Sequence, residues 1–477
     1  MSNTRKAQNT IGTFIVNAYP AVPGQEKPGR NQFIRNLCLA AICFGFFMVI
    51  LDTTVVDVAL PGLQRQFGAS IAELQWVVDG YMLVYAGLLL TAGALGDRLG
   101  NKRIFLIGLV LFTCASALCG IAPDMSLLQF ARVAQGLGAA LQVPASLALL
   151  NHTFPDARER DRAIGIWGAV AGIAAGAGPV IGGLLINVLG WRSIFFLNVP
   201  LGLAGFLLTW RFVPTVPGLP QRGFDPGAQV AGIIALGLLT LASIQGNAWG
   251  WNSLPILGAL AGFIVAALLF LLIERSSTNP ILPLHFFASP TFSAATTIGL
   301  LLNFAFYAQL FLVSIFFQQI WGYSALITGL ALLPEGGVIA ISSALSGKVT
   351  ARTGPRLPMV IGLCIGGFGF WLMMLINSNT AYLLLCPMLI AIGFGISFTM
   401  PAMTTAVVSS VPRERSGIAS AVLNTSRQVG EVLGVALLGS LIDVHRAFMT
   451  GMHVALGIAG GAFLLGAVLS FCFVQRA

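Results

Sequence analysis

The chain has 477 residues, of which 57% are hydrophobic and only 9% are charged, and its formal net charge is +9. An ordinary soluble domain carries about 25% charged residues, so this composition excludes a soluble protein. The basic residues stand in short loops between apolar segments, which argues against a nucleic-acid-binding surface. All seven cysteines fall within apolar segments, which favours helix packing over a disulfide framework.

Apolar segments follow one another along almost the whole chain after a polar start. Residues 1–34 lack the apolar core and cleavage site of a signal peptide, so we predict a cytoplasmic tail there. A membrane helix needs about 20 mostly apolar residues. On that criterion the chain is an all-α polytopic membrane protein with fourteen transmembrane helices. They are predicted near residues 37–60, 74–95, 104–122, 126–150, 163–187, 193–213, 227–245, 254–273, 293–317, 325–347, 357–377, 381–405, 417–441 and 453–474.

Basic residues separate the two sides of this arrangement. With the N-terminus inside, the tail and the inside loops hold most of the 25 Lys and Arg residues. The outside loops hold Arg65, Arg192 and Arg446, while Arg132 and Arg427 lie within spans. Because Lys and Arg are enriched in cytoplasmic loops, the pattern predicts that both termini are cytoplasmic.

The two ends of the span series weakly repeat each other. The turns at 93–103 and 346–356 are both basic and rich in glycine, and RER follows a Pro-Ala pair at 158–160 and again at 413–415. This spacing predicts two six-helix halves related by a pseudo-two-fold axis, with an inserted helix pair between them. The inserted pair carries little polarity, so we expect it at the periphery. The predicted parts are the N-terminal half 35–213, the insert 214–280 and the C-terminal half 281–477.

Four motifs resemble those of the major facilitator superfamily, in its fourteen-helix drug:proton antiporter branch. They are LDTTVVDVALP at 51–61, GALGDRLGNKR at 93–103, LLQFARVAQGLGAAL at 127–141 and AGAGPVIGGLL at 175–185. The matching positions are Gly93, Leu95, Asp97, Arg98, Gly100 and Lys102, then Arg132, Gln135, Gly136 and Gly138, then Gly178, Pro179, Gly182 and Gly183. Asp57 stands where the branch usually has Asn, and Ala174 where it often has Gly.

This resemblance implies a proton-coupled multidrug efflux antiporter that exports amphipathic, often cationic small molecules by alternating access. It implies a monomer in the lipid bilayer of the bacterial cytoplasmic (inner) membrane, driven by the proton gradient without a cofactor. The alternatives are a narrow-specificity exporter of one antibiotic, metabolite or lipid, and an uptake symporter. The sequence shows no metal-ligand spacing, activated nucleophile, nucleotide-binding loop or large polar domain, which argues against an enzyme or a sensor.

Charged residues within the spans are the main functional candidates, because an ionised side chain there costs at least about 2.5–3.5 kcal/mol. They are Asp52, Asp57, Asp79, Glu335, Glu431, Arg132 and Arg427. A helix rises about 1.5 Å per residue, which places Asp52 and Arg132 at similar depths. We expect them to meet, either as a static ion pair or as a proton-coupling site. In the second case Arg132 is a fixed charge, since arginine does not release its proton.

The other buried acids each carry two interpretations. Asp57 and Asp79 either face the substrate or are charges at the rim of the cavity. Glu335 follows a proline that is expected to kink its helix. It either couples protons, attracts a cation, or stays neutral and hydrogen-bonded. Glu431 comes four residues after Arg427, so it either contacts substrate or pairs with that arginine.

Aromatic residues on the second and ninth spans complete the candidate substrate site. Cation–π contact with a lipophilic cation competes here with plain core packing. The candidates are Tyr81, Tyr85, Phe304 and Tyr307.

The loop and fifth-helix motifs are candidates for conformational control. Asp97 near Arg98 and Lys102 predicts a charge latch, although a topological anchor would need only the bases. Glycines recur every fourth residue at 168, 172 and 176, before the Gly-Pro and Gly-Gly pairs. Small residues allow close helix approach in lipid, so the fifth helix is either a sliding seal between the halves or an ordinary packing helix.

Overall fold

The computed structural model describes residues 28–215, 218, 226–277, 282, 284–412, 416–442 and 448–475, without the side chains of 28–32, 90, 157–158, 161, 340 and 416–417. Most of the predicted tail, Arg446 and the second RER at 413–415 lie outside the described residues. Residues Cys38–Ala477 form one compact unit, and of the unit before it only the start of the first helix is described.

The described residues form fifteen α-helices. They are α1 (Pro28–Phe67), α2 (Ile71–Leu99), α3 (Asn101–Ile121), α4 (Met125–Thr153), α5 (Ala157–Leu189), α6 (Arg192–Phe212), α7 (Pro226–Trp249), α8 (Leu254–Ser276), α9 (Pro290–Ile315), α10 (Ala325–Ala331), α11 (Leu333–Thr353), α12 (Arg356–Met373), α13 (Tyr382–Ser409), α14 (Ser416–Gly439) and α15 (Phe448–Phe473). A 3₁₀ turn at Leu284–Ala288 precedes α9, and a π turn at Phe316–Ile320 continues it.

Thirteen of the predicted spans each fall on one of these helices, and the tenth, 325–347, falls on α10 and α11. Among the described residues, eleven helices are long and apolar enough to cross a membrane, and two bent pairs bring the number to thirteen. One pair lies within α2, where Ile71–Leu89 and Thr91–Leu99 meet at 53°, and the other is α10 with α11, at 42°. The helix outside this set is α14, whose middle, 424–428, is polar. The predicted count of fourteen is therefore not confirmed.

Most helices extend beyond their predicted spans, because an apolar window detects only the part inside the lipid. At the start of α2, the Ser70 hydroxyl accepts from the Glu73 amide while the Glu73 carboxylate accepts from the Ser70 amide. At the start of α4, the Asp124 carboxylate accepts from the Leu127 amide at 2.8 Å. Such caps satisfy amides that have no partner within the helix.

Two seams bring early helices against late ones. On one side α5 packs on α10 and α11, and on the other α2 packs on α14. The inserted helix α7 contacts both α2 and α14. Its Gln229 amide donates to the Gly87 carbonyl of α2, and its Asn247 amide donates to the Ser440 carbonyl just after α14. The inserted helix α7 is therefore held to both neighbours by polar side chains, which the expected lack of polarity did not predict, and its peripheral position stays a prediction.

Candidate functional site

Asp52 of α1 lies at the centre of a buried polar network. Its Oδ2 forms an ion pair with Arg132 Nη1 of α4. Its Oδ1 accepts from Gln135 Nε2 at 2.8 Å and from Asn198 Nδ2 of α6 at 2.9 Å. All four side chains are at most 3% exposed. The structure thus brings Asp52 and Arg132 into contact, and the coupling role stays a prediction.

Arg132 is held by several groups besides Asp52. Its Nε donates to the Val77 carbonyl of α2 at 2.9 Å, and its Nη1 donates to Gln135 Oε1 at 2.7 Å. Its guanidinium carbon lies 4.2 Å from the centre of the Tyr81 ring, a cation–π contact. With these partners the guanidinium is an immobile positive charge beside the carboxylate.

The glycines of the fourth-helix motif position this network. A Cβ at Gly136 would collide with the Tyr81 carbonyl of α2, and one at Gly138 would lie 2.7 Å from the Phe112 amide nitrogen of α3. Only glycine allows α4 to approach both neighbours so closely. Arg132 and Gln135, about one turn earlier, are thereby placed against α1, α2 and α3.

A second group of acids lies among α1, α2 and α14. Asp57 is 3% exposed, Asp79 is 0% and Glu431 is 1%. Electrostatic interactions link Glu431 to both aspartates. Both oxygens of Asp79 and Oε2 of Glu431 have no hydrogen-bond partner among the described residues. Both carboxylates of Asp57 and Asp79 are therefore enclosed in this conformation, and their role at the cavity stays a prediction.

Of the aromatic candidates, Tyr85 and Tyr307 interact electrostatically with Glu431. Tyr81 instead covers Arg132 and belongs to the Asp52 network. Phe304 and Tyr307 are partly buried on α9. The ring centres of Tyr81 and Tyr85 lie 6.0 Å apart, and electrostatic interactions link Tyr85 to Tyr307, so a shared aromatic site stays a prediction.

The pairing of Arg427 with Glu431 is absent from the structure. Arg427 Nη1 donates to Asn424 Oδ1 at 3.3 Å, and Nη2 lies 3.9 Å from the Met400 sulfur of α13. Helical side chains lean toward the N-terminus, and Arg427 follows this direction toward Asn424 and away from Glu431. Spacing of four residues makes a pair possible without forming it.

Glu335 lies in the first turn of α11, directly after the break from α10, so the predicted kink beside it is confirmed. It is 2% exposed, and its Oε2 accepts from Gln309 Nε2 of α9 at 3.2 Å. Its Oε1 has no hydrogen-bond partner among the described residues. The Tyr382 hydroxyl donates to the Ala331 carbonyl at the break, at 3.0 Å. Glu335 therefore keeps one oxygen available for a proton or a ligand.

The fifth-helix motif packs on two sides. A Cβ at Gly178 would lie 2.9 Å from Thr54 Cβ, and one at Gly182 would lie 3.1 Å from Val55 Cγ1, both on α1. A Cβ at Gly183 would lie 2.8 Å from Leu326 Cα of α10. Across the same contact, a Cβ at Gly329 of α10 would collide with the backbone of Pro179. This motif therefore joins the two groups of helices at a close seam.

The glycines before the motif behave differently. Gly176 meets the Gly336 backbone of α11, but a Cβ at Gly168 or Gly172 would meet nothing within 4 Å. Farther along α11, Gly347 also faces open space. The close contact of α5 with α11 thus lies at Gly176, and no such contact is made at the Cβ positions of Gly168 and Gly172.

The loop motif joins α2 to α3 through Gly100, whose φ of +96° is rarely adopted by other residues. Lys102 Nζ donates to the Val213 carbonyl at 2.6 Å and to the Trp210 carbonyl at 3.0 Å. Lys102 therefore binds the free carbonyls at the end of α6, a favourable place for a cation. Gly93 lies against Pro144 of α4. The latch between Asp97 and Arg98 stays a prediction.

Within the part of the chain that the structure describes, no group of three His, Cys, Asp or Glu side chains is arranged to hold a metal ion.

A bundle of apolar helices that encloses carboxylates between two seams is the architecture of a membrane carrier. The sequence profile of the Major Facilitator Superfamily matches residues 42–435, and the chain belongs to that superfamily of small-molecule transporters.

Several relatives of the chain are named for resistance to antibiotics or to many drugs. It is 38% identical over 437 residues to the methylenomycin A resistance protein of Bacillus subtilis, covering 91% of this chain and 94% of that protein. It is 39% identical over 406 residues to the multidrug resistance protein Stp of Mycobacterium tuberculosis, covering 85% and 75%. The crystal structure of the human organic anion transporter MFSD10 (TETRAN) matches with a TM-score of 0.64 at 16% identity, over 93% of this chain and 100% of that one. This last likeness shows the fold.

Proposed function

We propose that the chain is a proton-coupled efflux antiporter of amphipathic small molecules. The observation that carries this proposal is the buried network of Asp52, Arg132, Gln135 and Asn198. A carboxylate so held is an ionised acid with a fixed counter-charge, and a proton that binds it breaks the ion pair. The resistance functions named for the relatives support export as the direction.

Proton uptake at Asp52 is proposed to change how α1, α4 and α6 are held together. The ionised carboxylate accepts from Arg132 and Gln135 of α4 and from Asn198 of α6. Protonation removes the charge that these donors stabilise, so the three helices are less tightly joined. Arg132 keeps its other contacts and remains in place. The substrate then binds or leaves as the proton moves.

The proton gradient supplies enough free energy for export. One proton crossing 100 mV releases about 2.3 kcal/mol, and one pH unit adds about 1.4 kcal/mol. Together they support a roughly several-hundred-fold concentration ratio per proton.

The distribution of contacts supports alternating access between 35–213 and 281–477. The helices are joined at one end, where Gln75 Nε2 donates to the Val435 carbonyl at 2.8 Å and Gln318 Nε2 donates to the Val58 carbonyl at 2.9 Å. At the other end Gly168 and Gly172 face open space. With both termini in the cytoplasm, the open end is cytoplasmic, and this conformation is inward-facing.

The remaining parts of the proposal concern the setting. The chain is proposed to work as a monomer in the bacterial cytoplasmic membrane, with both termini inside and without a cofactor. A narrow-specificity exporter is the second candidate. The relative named for resistance to a single compound, methylenomycin A, favours it.

Reconstitution in liposomes with a pH gradient tests the coupling. Asp52→Asn is expected to abolish gradient-driven movement of a fluorescent amphipath. Asp124→Asn is the matched control, because asparagine also caps a helix well and this residue lies outside the network. Equal rates for wild type and Asp52→Asn would remove Asp52 from the coupling role.

A further inference from the structure

Arg427 of α14 has far weaker partners than Arg132 of α4. Its Nη1 has one neutral amide oxygen at 3.3 Å, and its Nη2 has a thioether sulfur, a weak acceptor, at 3.9 Å. Its Nε has no hydrogen-bond partner among the described residues. A guanidinium carries five N–H donors, so most of its capacity is unused.

No carboxylate among the described residues forms an ion pair with Arg427, whereas Arg132 is paired with Asp52. Glu431, the nearest acid along the helix, interacts electrostatically with Asp57 and Asp79 as well as with Arg427, but it does not contact the guanidinium as an ion-pair partner. A charge at membrane depth is costly without an opposite charge or water. Arg427 is only partly buried, so a ligand can reach it.

The surroundings of Arg427 suit an amphipathic ligand. Electrostatic interactions link it to the hydroxyl-bearing rings of Tyr85 on α2 and Tyr307 on α9. The Met400 side chain adds a soft apolar surface from α13. On α9, a Cβ at Gly299 would lie 3.2 Å from Arg427 Cγ, so this glycine leaves room for the arginine stem.

We propose that Arg427 binds a carboxylate of the transported molecule, and that the substrates therefore include anionic and zwitterionic amphipaths. The planar guanidinium forms paired hydrogen bonds with a carboxylate. Asp57, Asp79 and Glu431 then provide the opposite charge for an amino group at the other end of a zwitterion. This inference rests on the proposed function, because it assigns the substrate class of the same carrier.

The test compares three probes that share one ring system: 2-naphthoate, its neutral amide 2-naphthamide, and the cation (2-naphthylmethyl)trimethylammonium. Equilibrium binding of each radiolabelled probe is measured in proteoliposomes without a gradient. Arg427→Gln is expected to weaken naphthoate binding at least about tenfold while naphthamide binding changes less than about twofold. Arg427→Lys keeps the charge, and its affinity for naphthoate is expected to lie between those of wild type and Arg427→Gln.

Arg275→Gln is the matched control, since Arg275 is exposed at the end of α8. It is expected to bind all three probes as wild type does. Each result is a ratio of naphthoate to naphthamide in the same preparation, so a lower yield of folded variant does not change it.

Three outcomes would overturn the inference. One is an equal loss of all probes in Arg427→Gln, which indicates a structural arginine or a counter-ion for Glu431. Another is a wild type that binds naphthoate no better than naphthamide. The third is naphthoate binding that is equally strong in wild type and Arg427→Gln, which shows that Arg427 does not hold the carboxylate.

The same preparations separate this inference from the proposed function. A pH gradient that drives none of the probes, beside an intact naphthoate preference, would reject proton-coupled export while leaving the assignment of Arg427 in place. Gradient-driven movement of the probes without a preference for naphthoate over naphthamide would reject the assignment of Arg427 and leave proton-coupled export in place.

Discussion

At the scale of single residues, the amide side chains of Asn and Gln supply hydrogen bonds to the buried charged residues. Asp52 and Arg132 are joined by Gln135 and Asn198, and Glu335 is contacted by Gln309. These amides donate to the carboxyl groups and keep each of them in one orientation. The charged residues therefore set the chemistry, and the amides determine which helices respond to it.

Replacing Asn198 tests this role. Asn198→Leu removes one of three donors to Asp52 and leaves an apolar group at its Oδ1. A lost hydrogen bond to a charged group costs about 1.5–3 kcal/mol, so we expect gradient-driven transport to fall by at least about tenfold. Asn379→Leu, in an exposed loop, is the control for the same substitution. Wild-type transport by Asn198→Leu would show that α6 does not take part.

Glu335 is expected to attract cations through its free Oε1. Glu335→Gln keeps the shape and removes the charge, so the apparent affinity for a divalent organic cation should fall more than that for a monovalent one. Both affinities are measured from the concentration dependence of transport in proteoliposomes. An equal loss of maximal rate for both substrates, with unchanged affinities, would instead assign Glu335 to proton coupling.

Charged residues within apolar spans were the features of the sequence that predicted functional residues. Equal depth along two helices was enough to predict that Asp52 and Arg132 meet. Asn198 and Gln309 were missed because a neutral amide costs much less free energy within a span than a charged group does. Such residues therefore do not stand out in the sequence. The pair of Arg427 with Glu431 was proposed from spacing, and the chosen rotamers, which spacing does not determine, keep these side chains apart.

At the scale of helices, glycines determine where helices pack closely, because they have no side chain to keep the backbones apart. The close contacts of α5 fall on Gly178, Gly182 and Gly183, while Gly168 and Gly172 face open space. The recurring glycines in the sequence do not show which of these positions are in close contact and which are not. Which glycines pack depends on the angle between α5 and α11, and the break between α10 and α11 changes that angle by an amount that the sequence did not provide.

Two valine substitutions on α5 separate these classes. Gly183→Val places atoms against the backbone of Ala325 and Leu326, so we expect lower thermal stability in detergent and loss of transport. Gly172→Val enters open space and is expected to keep the stability of wild type. Overpacking of a close contact costs about 1–3 kcal/mol. Equal stability of the two variants would contradict a close seam at Gly183.

At the scale of the whole molecule, the proposed alternating access assigns the contacts at one end of the helices to one state of a cycle. Gln75 and Gln318 join the helices at the closed end. The inserted helix α7 binds α2 through Gln229 and the end of α14 through Asn247. A movement of the two groups of helices therefore has to break or carry these contacts with it.

Cysteine labelling tests this state. In a variant without the native cysteines, Gly172→Cys is expected to react with a membrane-impermeant maleimide in inside-out vesicles and to stay unlabelled in right-side-out vesicles. Val435→Cys, which is 1% exposed and lies at the closed end, is expected to stay unlabelled from both sides without a gradient. Labelling of Gly172→Cys from the outside would reverse the proposed orientation.

The acids Asp57 and Asp79 stand on one side of the α2–α14 seam, and Glu431 stands on the other. Negative charges brought together in a medium of low dielectric constant repel each other strongly. In the proposed antiport cycle, we expect the unloaded protein to close this region only when a proton or a positively charged cargo lies between the three acids. The repulsion is then expected to keep the unloaded protein from returning freely and so to limit leakage of protons across the membrane.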